Sequence, residues 1–370
     1  MLYKGGEKDV LLVKTAQLQE GCILAEDVVG KSNRVIVPKN TVLNAKLLIV
    51  LQKFLVDQVR VQSVLVDGSA FRPSEIIQED VPKPKARDHK DILTLYLEAV
   101  QQYKKMFQSW QSGLPIDIGK VRNMFMPLFE KVLESEKELL FLHHYSTKSE
   151  YLFHHAVTVG LLSGVLAKKL QYAKGDYYQV AIAGLLSDCG MAKVDPKILH
   201  KSAALTPMEY KDMRQHTVYG YKMVQKITAL QEGVKLAVLQ HHERNDGSGY
   251  LLSVQEEKIH PYSKIVAVAD VYHAMISERP YRNKQSPFEV FEQIHKDCFG
   301  KFDLSVVQAL ASLLMTLSLG AKVKLSNEQI GEIIFFEQDS PSCPMIKMIE
   351  TDKIVSLKDE KDLFIEEIIK

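Results

Sequence analysis

The feature that most constrains this sequence is a long stretch, residues 91–319, in which apolar residues recur at helical spacing. Ile92, Leu95 and Ala99 follow one another at intervals of three and four residues, which place side chains on one face of a helix. Gly113-Leu114-Pro115 interrupts the first of these helices. The stretch therefore predicts a mainly α protein built around a helical bundle.

The N-terminal segment has a different pattern. Residues 10–13 and 59–66 are rich in β-branched side chains, which is typical of strands. We expect a small β-rich domain over residues 1–66. Residues 67–91, with Pro82-Lys83-Pro84-Lys85, have weak periodicity and predict a linker.

The C-terminal segment returns to a strand-like pattern. Residues 331–337 and 345–349 predict two strands, and Asp339-Ser340-Pro341 between them predicts a turn. We expect a β-hairpin in a tail over residues 323–370. The remaining boundaries place connecting helices over residues 92–140 and the main helical domain over residues 141–322.

Composition excludes several classes of protein. The formal net charge is +1, whereas a groove for a nucleic-acid polymer normally requires a basic excess. The four cysteines, Cys22, Cys189, Cys298 and Cys343, are far apart and suggest neither a zinc pair nor a disulfide framework. No segment has the length of a membrane span or the pattern of a signal peptide. We therefore expect a cytoplasmic protein.

Histidines and aspartates occur at the ends of several separate helical segments. Asp188 and Asp270 each follow an apolar run. Imidazole and carboxylate together suit iron, manganese or zinc, and a bundle builds such sites from facing helices. The candidate ligands are His155, Asp188, His216, His241, His242 and Asp270.

Each candidate also has a plain structural alternative. A lone histidine on an apolar helix is more often a packed core residue. Asp188 and Asp270 equally fit helix caps or buried partners of an arginine. The adjacent pair His241-His242 is more informative, because neighbours on a helix point about 100° apart and cannot both face one core.

The order of these residues resembles that of the HD-GYP domain. This family is a bacterial subgroup of the HD-type metal-dependent phosphohydrolases, and its members cleave the second messenger cyclic di-GMP. The resemblance covers about residues 145–320. It is specific, since residues 241–250 match the pattern HHExxDGxGYP except for its last residue. Residues 269–275 with Arg279-Pro280-Tyr281-Arg282 resemble a second block of the family.

The resemblance implies an HD-type helical bundle and a role for each matching residue. Asp188 would bridge two divalent ions, iron or manganese with zinc as the alternative, and act with a metal-bound water in catalysis. One ion would also take the three histidines His216, His241 and His242, and the other would take His155 and Asp270. Three residues would contact the nucleotide: Tyr250, Arg279 and Arg282.

Four positions depart from the family pattern. Ser187 replaces the histidine of the HD pair and is a poor ligand. Met191 replaces a lysine, so a positive charge beside the phosphate is lost. Leu251 replaces the proline of the GYP triplet, and His273 replaces an aspartate. His273 could supply a replacement nitrogen for the second ion.

Other residues of the motif have structural interpretations. We expect Glu243 and Asp246 to support ligands or to order the loop. Arg279 and Arg282 also fit surface positions near a helix start, and Tyr250 also fits packing within a loop.

Three functions stay open at this point. The first is a divergent phosphodiesterase acting on cyclic di-GMP in bacterial signalling. The second is a catalytically inactive module that binds cyclic di-GMP or a signalling protein. The third is a one-metal phosphohydrolase acting on another nucleotide. The sequence also leaves a homodimer open.

Overall fold

The structure is a computed structural model. It describes residues 10–29, 35–54, 56–75, 91–201, 203–278, 285–337, 340–360 and 362–369, without the side chains of Cys298 and Phe299. The chain divides into two compact units, one over residues 1–101 and the other over residues 102–369. The finer boundaries expected from the sequence stay predictions.

The first unit is β-rich, as predicted. Its elements are strands β1 Val10–Lys14, β2 Val28–Val29 and β3 Val35–Val37, helix α1 Ala45–Lys53 and strand β4 Gln58–Gln62. Strands β1 and β4 are antiparallel, with Leu11 opposite Val61 and Val13 opposite Val59. These four side chains belong to the core of the unit, as does Leu51 of α1. The alternation of buried and exposed residues along β1 therefore fixes which face of the pair is covered.

The predicted helical stretch is confirmed. Helix α2, Ile92–Gln111, begins in the first unit and ends in the second. The second unit continues with α3 Ile118–Glu134, α4 Tyr151–Lys169, α5 Lys174–Leu186, α6 Pro196–Leu199, α7 Pro207–Arg214, α8 His216–Val224, α9 Glu232–Gln240, α10 Pro261–Ile276, α11 Pro287–Lys301 and α12 Leu304–Ser318.

Helices α4 and α5 pack closely because small residues face each other. A Cβ atom added to Gly184 would lie 2.7 Å from the carbonyl oxygen of Val159 and 2.6 Å from Ser163 Oγ. Such contact leaves room for no side chain at this position. The close packing brings His155, on α4, to the same end of the bundle as Asp188, just after α5.

The C-terminal segment is a five-stranded antiparallel sheet. The predicted hairpin is confirmed as β6 Ile330–Phe335 paired with β7 Met345–Met348. Three further strands that the sequence analysis did not predict complete the sheet: β5 Lys322–Leu325, β8 Ile354–Ser356 and β9 Ile365–Ile369. The order across the sheet is β8-β7-β6-β5-β9.

Within the described residues, no helix combines the length and the apolar character needed to cross a bilayer.

Candidate metal centre

Five elements of the second unit bring the six predicted ligands together. His155 lies in α4, Asp188 follows α5, His216 begins α8, the pair His241-His242 follows α9, and Asp270 lies in α10. Two groups form, and within each the ligand atoms lie within 4.8 Å of one another. The first group is Asp188, His216, His241 and His242, and the second is His155, Asp188 and Asp270.

A glycine explains why His216 meets Asp188. A Cβ atom on Gly190 would lie 1.9 Å from the carbonyl oxygen of His216 and 2.4 Å from the amide nitrogen of Gly220. The turn after Asp188 therefore touches the backbone of α8, which a larger residue at position 190 would prevent. His216 Nε2 consequently lies 3.3 Å from Asp188 Oδ1.

The hydrogen bonds of the first group fix which ring nitrogens face the carboxylate. His216 Nδ1 lies 2.8 Å from the carbonyl oxygen of Met213, and His241 Nδ1 lies 3.1 Å from that of Val238. Each Nδ1–H donates to a carbonyl, so each neutral ring presents a lone pair at Nε2.

Those two Nε2 atoms are 3.4 Å apart, and they lie 3.3 and 3.7 Å from Asp188 Oδ1. Asp188 Oδ1 is buried and accepts no hydrogen bond from any residue that the structure describes. With both rings neutral, three electron-pair donors face one another. Burial opposes protonation of His241, but its contact with Asp188 raises its pKa above the usual value, so a bound cation would take the place of that proton. A divalent cation satisfies all three at once, so this group fits a metal ion.

The electrostatics of the group agree with this assignment. Burial by itself would raise the pKa of Asp188, but its contact with His241 and the charges of His216 and His155 hold that pKa well below its usual range. Burial lowers the pKa of His216, although Asp188 partly opposes the shift. The carboxylate is therefore ionised and His216 is neutral near pH 7, which are the forms that bind metals.

The adjacent histidines His241 and His242 both face the centre, in the group to which the sequence assigned them. Helix α9 ends at Gln240, and His241 is the residue that terminates it. The two rings lie 4.1 Å apart at their centroids. His241 ends α9 with helical backbone angles, and both histidines lie in the turn that follows the helix.

The second group is held by short contacts to His155. Its Nε2 atom lies 2.9 Å from Asp270 Oδ1 and 3.6 Å from Asp188 Oδ2. Burial opposes ionisation of Asp270, but the hydrogen bond from His155 and the charge of His242 hold its pKa well below the usual range. His242 Nδ1 lies 3.8 Å from Asp270 Oδ2 and so links the two groups.

Ser187 and His273 do not complete the second group. The Ser187 hydroxyl donates to the carbonyl oxygen of Gly184 at 2.9 Å. His273 Nδ1 lies 2.9 Å from His155 Nδ1, the nitrogen on the side of that ring opposite the carboxylates. His273 therefore lies behind His155 rather than beside Asp188, and it offers no nitrogen to the second group.

The loop after the histidine pair is ordered by Glu243. Its buried carboxylate accepts hydrogen bonds from the amides of Leu252 at 2.7 Å and Val254 at 3.2 Å. Asp246 accepts from the amide of Ser248 at 2.9 Å. Both acidic residues thus order the loop, as expected, and the loop carries Tyr250 to the centre.

Tyr250 stacks on a ligand of the first group. Its ring lies 4.6 Å from the ring of His242, with an angle of 26° between the planes. Burial raises the pKa of the phenol, and the charges of Asp270 and Asp188 raise it further. Tyr250 therefore keeps its proton at neutral pH and is available as a hydrogen-bond donor.

The structure adds less about the other positions that the sequence singled out. Met191 is half-buried, and its amide donates to the carbonyl oxygen of Asp188 at 2.9 Å. Leu251, next to Tyr250, is half-buried in the same loop. Arg279 and Arg282 lie outside the described residues.

Sequence reasoning missed two residues at the centre. Tyr151 lies one helical turn before His155, and its hydroxyl is 3.1 Å from His155 Nδ1. Arg214 places its guanidinium carbon 4.2 Å from the centroid of the Tyr250 ring. The only sequence signal for either is proximity, since Tyr151 is four residues before His155 and Arg214 two before His216.

Comparison with known proteins identifies similar chains. Residues 127–306 match the HD domain family. The chain is 30% identical over 243 residues to the cyclic di-GMP phosphodiesterase PA4108 of Pseudomonas aeruginosa, covering 66% of this chain and 58% of that one. It is 37% identical over 161 residues to a cyclic di-GMP phosphodiesterase of Thermotoga maritima, covering 43% of this chain and 44% of the other.

A third similar protein has a different named specificity. The 3'3'-cGAMP-specific phosphodiesterase 1 of Vibrio cholerae is 32% identical over 189 residues, covering 50% of this chain and 44% of that one. The chain thus spans about half the length of the curated relatives it matches.

Proposed function

The chain carries an HD domain of the HD-GYP type over residues 127–306, and from this premise we propose that it is a divergent, metal-dependent phosphodiesterase that opens cyclic di-GMP to the linear dinucleotide. The observation that carries the proposal is the convergence of Asp188 Oδ1 with the Nε2 atoms of His216 and His241. Named relatives supply the substrate class, a cyclic dinucleotide of two 3',5'-linked nucleotides.

The donor set supports iron or manganese as the cofactor. Asp188, His216, His241 and His242 would hold one ion, and His155 and Asp270 with Asp188 would hold a second. A set of imidazoles and carboxylates suits both metals, with zinc as the alternative. When bound, a divalent ion supplies Lewis-acid chemistry, since it makes water more acidic and offsets charge on phosphate oxygens.

The chain's own residues provide orientation, balancing charge and a hydrogen-bond donor. The carbonyls of Met213 and Val238 hold His216 and His241 in one tautomer, so neither ring needs to reorganise during the reaction. The buried Asp188 and Asp270 carry the negative charge that balances the cofactor. Tyr250, protonated and stacked on His242, is placed to donate to a phosphate or ribose oxygen of the substrate.

A second candidate function is binding without hydrolysis. The observation that favours it is the engagement of Ser187 with Gly184, which leaves the second group with three ligands. Met191 also lacks the charge that a lysine would provide near the phosphate. A loss of this kind costs a few kcal/mol in a transition state but much less in binding. The alternative is thus a sensor built on the same centre.

We also propose a reducing cytoplasm as the compartment. Cys22, Cys189 and Cys343 are free thiols in the structure, and burial raises the pKa of Cys189 to well above its ordinary value. Free thiols and a redox-sensitive metal such as ferrous iron are compatible with a reducing compartment.

The experiment that separates the two candidates uses purified protein loaded with iron or manganese without oxygen. Binding and hydrolysis of cyclic di-GMP are measured side by side for the native chain and for the Ser187→His, Met191→Lys double variant, with 3'3'-cGAMP as the comparison substrate. Linear product from the native chain supports the phosphodiesterase. Binding by both proteins with product only from the double variant supports the sensor, and the absence of binding by either overturns both.

A further inference from the structure

Arg214 ends helix α7, immediately beside the metal centre. Its guanidinium carbon lies 4.2 Å from the centroid of the Tyr250 ring and 5.6 Å from that of the Tyr210 ring. Tyr250 in turn stacks on His242, a candidate ligand. One aromatic ring therefore connects the guanidinium to the first metal group.

The guanidinium of Arg214 has no carboxylate partner among the residues that the structure describes. Its Nε atom is buried, and no described residue accepts a hydrogen bond from it. Arg60 differs, since it pairs with Glu26 at 2.8 Å. Arg244 differs too, since its guanidinium donates to the carbonyl oxygen of Glu243 at 2.8 Å.

A partly buried arginine without an acceptor is costly, because desolvated donors lose their hydrogen bonds to water. Stacking on tyrosine offsets part of this cost and orients the guanidinium plane, while its N–H edge stays available. That edge matches two oxygens of a phosphate in a bidentate contact. An anion beside the metal centre would supply the acceptor that Arg214 Nε lacks among the described residues.

We propose that Arg214 binds a phosphate group of the cyclic dinucleotide and supplies the positive charge that the lysine-to-Met191 replacement removed. The inference rests on the proposed function, since it assigns a ligand contact within that site. Arg214 lies on a different element from Met191, so the charge would approach the substrate from the α7 side. In this chain the positively charged side chain that contacts the substrate is therefore Arg214, and it compensates for the lysine that is absent at position 191.

The test measures binding of a hydrolysis-resistant phosphorothioate analogue of cyclic di-GMP to manganese-loaded protein. Arg214→Gln should weaken binding roughly tenfold to a hundredfold, the range for loss of a hydrogen-bonded charge pair. Arg214→Lys, which keeps the charge, should recover at least part of that loss. The matched control is Arg122→Gln, because Arg122 donates to the carbonyl oxygen of Ala229 at 2.8 Å on an exposed part of the same unit.

Metal content and thermal midpoint are measured for every variant, since a merely structural role would change them as well. Unchanged metal content with weakened binding supports the assignment. Binding by Arg214→Gln within twofold of the native protein overturns it, while the proposed function stands. Failure of the native protein to bind the analogue overturns the proposed function, and the assignment of Arg214 falls with it.

Discussion

His155 and His273 face each other through their Nδ1 atoms, which lie 2.9 Å apart in the buried core of the second unit. One of the two nitrogens must carry the proton. If His155 presents a lone pair at Nε2 to a metal, its Nδ1–H donates to His273. His273 Nε2–H then donates to Ser277 Oγ, 3.2 Å away. In that state His273 accepts the Nδ1 proton of His155, whereas the hydrogen bond from His155 Nε2 to Asp270 in the metal-free chain requires the proton on Nε2.

Removing this acceptor should weaken the second metal position selectively. His273→Phe keeps an aromatic ring but offers no nitrogen, so we expect the affinity for the second ion to fall about tenfold to a hundredfold. The first ion should bind as before. Metal titration with elemental analysis measures both. The control is His200→Gln, which changes an exposed histidine outside the metal centre. Equal affinities for the second ion in the native protein and both variants would refute the role of His273.

Gly190 should be intolerant of a side chain. The added methyl group of Gly190→Ala would meet the carbonyl oxygen of His216, so α8 must shift. We expect a loss of about 1–3 kcal/mol in the free energy of unfolding, together with weaker metal binding at the first group. Chemical denaturation and metal titration measure the two effects.

The matched control for that substitution is Gly175→Ala. A Cβ atom at Gly175 meets nothing within 4 Å, and the residue lies in the first turn of α5. This variant should be neutral or more stable by up to about 1 kcal/mol, because alanine favours a helix over glycine. Equal effects of the two substitutions would show that α8 does not depend on the close approach at Gly190.

The stability of the metal-free protein should depend on pH through His242. Burial lowers its pKa well below 6.5, and the charge of His241 lowers it further. As the pH falls below 6.5, His242 binds a proton in the unfolded chain but stays unprotonated in the folded chain. The free energy of unfolding therefore decreases toward acid, by at most about 1.4 kcal/mol per pH unit for one such group.

His242→Gln removes that group, so its stability should decline less steeply than that of the native protein between pH 6.5 and about 5. Denaturant titrations of both metal-free proteins at each pH give the difference. Parallel curves would mean that His242 does not resist protonation in the folded chain.

The local pattern of apolar residues was sufficient to predict the helices and some of the strands. Apolar spacing predicted the helical stretch because each helix buries one face, as α2 and α3 do. Strands β5, β8 and β9, of three to five residues, were missed. Their stability comes from pairing across the sheet, which joins β5 to β9 although they lie far apart in the sequence.

The six candidate ligands could be named from the sequence because residue type and order carry the signal, whereas the residues that contact them could not. His273 lies three residues after Asp270 on α10, which is why the sequence offers it as a candidate ligand. Which nitrogen of His155 it meets depends on how α4 and α10 pack. Arg214 carries only the weak signal of lying two residues before His216, because its significance arises from contact with Tyr250 on a separate loop.

The most direct test of the central claim is a single-turnover assay with enzyme in excess over cyclic di-GMP. Native protein and Asp188→Asn are loaded with manganese without oxygen, and the products are separated by chromatography. We predict linear dinucleotide from the native protein, with product formation and metal content both lost in Asp188→Asn, since Asp188 belongs to both metal groups. Equal product from the two proteins, or none from the native protein, would contradict the account.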